Sequence, residues 1–143
     1  MRMYEYTARL AQGLDRHPVY DGDTVRLDID CGFGIWKCNT VCRLYGINTP
    51  EMRGADKEEG TSARDALREM LGEHPLLVRT HRDSTGKYGR YLVEIYLQLE
   101  NMPMGFEWDG IRGVAILGYN DAVTWVNVNR ALVVNGYAVE YMA

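Results

Sequence analysis

Between Thr24 and Asp30 apolar and polar residues alternate without a slip. Val25, Leu27 and Ile29 share one face, and Arg26, Asp28 and Asp30 the other, the period of a half-buried strand. Cys31-Gly-Phe-Gly is a turn signal, and Lys37 to Ile47 returns as the partner strand until Asn48-Thr-Pro-Glu stops it. Met3 to Leu10 alternates more loosely. The period then lengthens: from Lys57 to Glu73, Ala63, Ala66, Leu67, Met70 and Leu71 fall on one helical face, with charges opposite and Gly72 at the end. Leu76 to Thr80 and Tyr91 to Leu97 read as two more strands, joined by a polar loop from Arg82 to Arg90. A second helix is expected over Val126 to Val134, stopped by Asn135-Gly136, and Tyr137 to Tyr141 alternates again.

Five strands with a helix after the third point to an α+β fold. The expected form is a small, strongly curved five-stranded β-barrel of the OB type with helices packed on it. Gln98 to Trp125 interrupts this order as an atypical insertion, in which the apolar run Val114 to Leu117 reads as one extra strand. At 143 residues the chain is expected to be a single domain over 1–143, large enough for a core without metal or disulfide staples. The composition, 46% hydrophobic and 25% charged, excludes disordered and collagen-like classes. A net charge of −4 argues against coating nucleic acid through bulk positive charge, though not against a local basic site.

No apolar stretch is long enough to span a bilayer, so no membrane partner is expected. The N-terminal segment lacks an uninterrupted apolar run, so a cytoplasmic location is the expectation; a monomer is expected as well. The cysteines, Cys31, Cys38 and Cys42, form no CxxC and have no histidine at ligand spacing. Cys38 and Cys42 lie four apart on a strand and are expected to point the same way, as small buried hydrophobes.

Three segments place charged or acceptor side chains beside turn residues at strand ends: Asp21-Gly-Asp-Thr24, Arg43-Leu-Tyr-Gly-Ile-Asn-Thr-Pro-Glu51 and Gly86-Lys-Tyr-Gly-Arg90. Singly, each reads as an ordinary turn or a solvated strand residue. Together they make a phosphodiester site. Asp23, the Asn48 side-chain oxygen, the Thr49 carbonyl and Glu51 are the oxygen donors a hard divalent cation takes. Arg43 and Arg90 offer forked donors to the equatorial oxygens of a phosphate undergoing attack. A carboxylate beside the metal can orient the attacking water or accept its proton.

In order and in context, these motifs resemble the staphylococcal (micrococcal) nuclease family. The similarity runs from about Val19 to Leu97 and resumes over Val126 to Gly136, where Val-Asn-x-x-Leu-Val-x-x-Gly resembles the family's second helix. The resemblance implies an OB-fold barrel that hydrolyses DNA and RNA phosphodiesters with calcium. It casts Asp23 as a metal ligand with Asp21 behind it, and Arg43 as a phosphate clamp. Thr49 would give its carbonyl to calcium, and Glu51 would serve as general base. Arg90 falls at the leaving-group side, with Lys87 and Tyr88 near a neighbouring phosphate.

The sequence departs from the family in three places. Asn48 stands where most members carry a second metal-binding aspartate, which removes a charge and keeps an oxygen. The insertion replaces what is commonly a short turn, and the family's third, basic helix has no counterpart before Ala143. Two readings follow. One is a calcium-dependent endonuclease of little sequence specificity, with another divalent cation as a possible substitute. The alternative is a catalytically weakened or inactive nucleic-acid-binding OB-fold module. Met102, Met104, Phe106 and Trp108 would support a protein-interaction role, but residues of this kind are more often core or lid.

Overall fold

The computed structural model describes residues 4–81, 91–115 and 122–141. Strands β1 (Glu5–Leu10), β2 (Thr24–Asp30), β3 (Trp36–Leu44), β5 (Leu76–His81) and β6 (Tyr91–Gln98) form a ring, with a two-residue strand β4 (Ile47–Asn48) after β3. In the ring β3 pairs with β2, β2 with β1, β1 with β5 and β5 with β6, all antiparallel. A parallel seam closes it, with Cys42, Arg43 and Leu44 of β3 opposite Tyr91, Leu92 and Val93 of β6. The expected OB-type barrel is the observed one.

Val25, Leu27 and Ile29 point into the barrel as their alternation requires, and meet Val78, Val93 and Ile95 from the far side. Helix α1 (Lys57–Leu71) covers one end with Leu67, Met70 and Leu71. Glu58 and Glu59 in its first turn and Arg68 in its last suit the helix dipole, and Gly72 takes the positive φ that ends it. Helix α2 (Val128–Val134) adds Val128, Ala131 and Leu132 to the same core.

Four sequence expectations are corrected. Helix α2 begins two residues late, because Val126 and Asn127 still belong to strand β8 (Ala122–Asn127), and the Asn127 side chain caps the helix by accepting from the Arg130 amide at 3.1 Å. The insertion holds two strands rather than one: β7 (Ile111–Ala115) pairs with β8, and β8 extends the sheet along the end of β6.

Cys38 and Cys42 do not point the same way, since Cys38 is exposed and Cys42 buried. A register shift opposite Asp28, with Asn39 at φ 51°, inverts the alternation between them. Asp28 itself is buried rather than solvated. Its carboxylate accepts from the Asn39 amide (2.9 Å), the Gln12 amide (3.3 Å) and Arg9 Nε (3.3 Å), and so fixes the bulge. Burial pushes the Cys42 thiol up to about 12.

The insertion folds back on the barrel. Met102 and Phe106 pack against the core, whereas Met104 and Trp108 stay exposed. Asn135 at the end of α2 exchanges two hydrogen bonds with the Glu107 backbone. Among the described residues no helix is long and apolar enough to cross a membrane.

Candidate active site

The turn ahead of β2, the end of β3 and the segment after β4 meet at one end of the barrel. Asp21 Oδ1 accepts from the Asp23 amide at 3.0 Å, an Asx turn that aims the Asp23 carboxylate inward. The Asp23 carbonyl accepts from the Leu44 amide (2.8 Å), and its Oδ2 from the Thr49 amide (3.3 Å). One aspartate thus joins all three segments. Gly22 permits the approach, because a Cβ there would lie 2.8 Å from Thr49 Cγ2 and 2.9 Å from Ala63 Cβ. Asn48 is held from outside by strand β9 (Val139–Glu140), where it lies opposite Val139.

Arg43 sits near the end of β3, between Thr24 on β2 and Leu92 on β6. Its NH1 donates to the Leu44 carbonyl (3.2 Å) and its NH2 donates to Asn48 Oδ1. The same NH2 lies 3.5 Å from Asp23 Oδ2, and the guanidinium carbon 5.8 Å from the centre of the Tyr141 ring. The Arg43 and Asp23 side chains keep 17% and 16% of their exposure, so they are largely withdrawn from water yet reachable. At that depth a charge interacts more strongly than on open surface.

Five of the expected site residues are therefore brought together: Asp21, Asp23, Arg43, Asn48 and Thr49. Glu51 is set apart. Its side chain is 68% exposed and pairs with Arg53 at 3.1 Å, at the mouth of a cleft that Asp21 also lines. Its backbone is tightly placed, since a Cβ on Gly60 of α1 would run into the Glu51 carbonyl and come within 2.8 Å of that of Pro50. Lys87, Tyr88 and Arg90 lie outside the described residues.

The donor set suits a hard cation. It offers the Asp23 carboxylate, backed by Asp21, with the Asn48 amide oxygen and the Thr49 carbonyl, all oxygen. Among the described residues no three His, Cys, Asp or Glu side chains gather at metal-binding spacing. The Asp21 carboxyl is pushed up to about 6, first by burial, then by its hydrogen bond to Asp23 and that residue's charge. Two carboxyls crowded in this way are the environment a dication relieves.

Sequence reasoning missed two residues here. Tyr141 lies beside Arg43, although the terminal alternation that placed it on a strand gave no hint of that neighbour. Asn129 is fully buried, donates to the carbonyls of Tyr45 (2.9 Å) and Val93 (3.1 Å), and accepts from the Ile95 amide (3.1 Å). It ties α2 to β6 and to the turn between Arg43 and Asn48. The Val-Asn pair opening the α2 motif carried that signal.

A search of curated proteins finds no match. The family model described as staphylococcal nuclease homologue matches residues 41–143, a span that takes in Arg43, Asn48, Thr49 and Glu51 and starts after Asp21 and Asp23. With most of the chain matched and the barrel in place, the chain belongs to the staphylococcal nuclease homologue family.

Proposed function

We propose that this protein hydrolyses phosphodiester bonds of DNA and RNA in a metal-dependent reaction with little sequence preference. The observation that carries the reading is the largely buried Arg43 guanidinium, set against Asp23 and Asn48 in an otherwise all-oxygen donor cluster. Asp23, the Asn48 oxygen and the Thr49 carbonyl would hold the cation, calcium foremost, with Asp21 orienting Asp23 from behind. When bound, the cation supplies charge neutralisation at the phosphate and lowers the pKa of water.

The remaining work belongs to side chains. Arg43 presents its fork to the equatorial phosphate oxygens, where charge grows as the water attacks. Glu51 accepts the water's proton, since its exposed pair with Arg53 is weak enough for the carboxylate to turn. Arg90 supports the leaving oxygen, and Lys87 and Tyr88 hold the next phosphate. All three fall outside the described residues.

One observation favours a second reading, a nucleic-acid-binding module with weakened catalysis: Glu51 faces Arg53 rather than the Asp23 cluster. A plasmid-nicking assay across calcium, magnesium, manganese and chelator separates the two. Nicking that chelator abolishes supports hydrolysis. Retention of DNA in a gel-shift assay without cleavage under any metal establishes the module.

A further inference from the structure

Beside the candidate site, on the α1 side of Glu51, lies a cleft of about 450 Å³. Arg16, Arg53, Arg64 and Arg68 line it, together with Tyr20 and the carboxylates Asp21 and Glu51. The chain as a whole carries a net charge of −4, so this concentration of cations is a local reversal of sign.

The four arginines are only partly neutralised. Arg68 donates twice to the Val19 carbonyl (3.2 and 3.0 Å), a neutral acceptor that fixes the guanidinium without cancelling its charge. Arg16 makes no ion pair among the described residues. Arg64 pairs with its neighbour Asp65 through Nε (3.0 Å) and NH2 (2.9 Å) and Arg53 with Glu51 (3.1 Å), pairs whose carboxylates stand largely in water, which weakens them. The cations also oppose one another. Burial and then the Arg64 charge lower the Arg68 pKa against the opposite pull of Asp65, and burial followed by Arg68 and Arg64 lowers that of His17.

An anion relieves such a cluster. The volume exceeds what one phosphate fills and lies in the range of pockets that take a whole small ligand. At the rim Tyr20 is 62% exposed, a flat face of the kind on which an unpaired base stacks. Fixed cations beside an exposed aromatic ring form the usual surface for single-stranded nucleic acid.

We infer that the arginine cleft is a second phosphate subsite, holding a single nucleic-acid strand beyond the scissile phosphate with a base stacked on Tyr20. The inference rests on the nuclease reading and names how the same site takes a longer substrate. The strand passes Asp21 and Glu51, which line the cleft on the side of the candidate site.

The test uses binding in chelator, so that no cleavage is needed. Fluorescein-labelled single strands of three and twelve nucleotides are titrated by anisotropy against wild type and the Arg16→Gln/Arg64→Gln double variant. Both side chains lie outside the core, and circular dichroism checks that the variant folds. The twelve-mer should bind about tenfold more weakly, and its log K against log salt should flatten by about 1.4, the worth of two single-strand phosphate contacts. The three-mer should change less than twofold. Tyr20→Ala should weaken the twelve-mer with its salt slope unchanged. With metal, KM for long strands should rise while kcat holds.

Unchanged twelve-mer affinity and slope in the folded double variant would overturn the subsite. So would equal losses for both lengths, or orthophosphate binding as tightly as the twelve-mer, the mark of a small-anion pocket. Absence of cleavage under every metal sinks the hydrolytic reading alone, because the subsite is judged on the chelator titrations.

Discussion

Arg43 holds Asn48 and Asp23 in the free protein, and in the proposed reaction the same guanidinium must also hold a phosphate. Only the second grows in the transition state. Arg43→Ala is therefore expected to lower kcat by about 10²-fold or more, about 3 kcal/mol, with a much smaller effect on substrate affinity. Steady-state kinetics beside a chelator binding assay checks this, and equal losses in both would make Arg43 a backbone anchor only. Asn48 is the residue on which the metal reading turns. Asn48→Asp adds a carboxylate at ligand distance with little change in volume. Calcium affinity rises with ligand charge, and the competing pull of Arg43 on the new carboxylate blunts the gain. The calcium concentration for half-maximal nicking should fall by about tenfold, or about 1.4 kcal/mol. Calorimetric titration of both proteins decides it: equal calcium affinities would remove Asn48 from the ligand set.

Among the elements, α1 does more than cover the barrel, because its first turn presses on the Pro50 and Glu51 carbonyls through Gly60. Helix propensity alone would favour Gly60→Ala by about 1 kcal/mol. Overlap with two backbone carbonyls that have nowhere to move opposes it, and the upper end of overpacking costs, about 3 kcal/mol, prevails. Urea unfolding should show the loss, and kcat should fall with it as Glu51 shifts; a stabilised variant would mean that α1 yields. Asn129 makes the matching link from α2. Asn129→Ala strands the Ile95 amide and frees the Tyr45 carbonyl, and should cost about 3 kcal/mol by the same measurement. The strands and both helices were legible because their periods of 2 and 3.6 are set by one buried face each. The β7–β8 hairpin was not, since glycines at 110, 113 and 118 break the alternation and pairing with β6 supplies what local pattern lacks. Cys38 escaped for a related reason: a single inserted residue inverts a strand, and only the buried Asp28 marks where.

For the molecule as a whole, the motifs pointed to Asp21, Asp23, Arg43, Asn48 and Thr49, which the fold brings to one end of the barrel because short turns leave their strand ends few places to go. They could not point to Arg16, Arg53, Arg64 and Arg68. On α1, Arg64 and Arg68 read like any solvated polar face, and tertiary packing alone sets them opposite the turn before β2. The parallel seam between β3 and β6 carries one more consequence, and it concerns time. Arg43 faces Leu92 across that seam, and no hairpin brings residues 43 and 92 together. Closing so long a loop must precede the contacts that reward it, so the seam belongs to the slow part of folding. A nascent chain that has reached Gly72 already carries Asp23, Arg43, Asn48 and Glu51, but not the strand that fixes Arg43 among them. In refolding sampled by timed nicking assays, metal-dependent cleavage should return no faster than the slowest phase, after most of the far-ultraviolet signal. Cleavage recovered in the fastest phase would show a site that assembles without the seam. With the seam last, the chain gathers the Arg43 cluster only once it is itself fully folded, and no fragment short of β6 carries that cluster in its final form while the message is still being read.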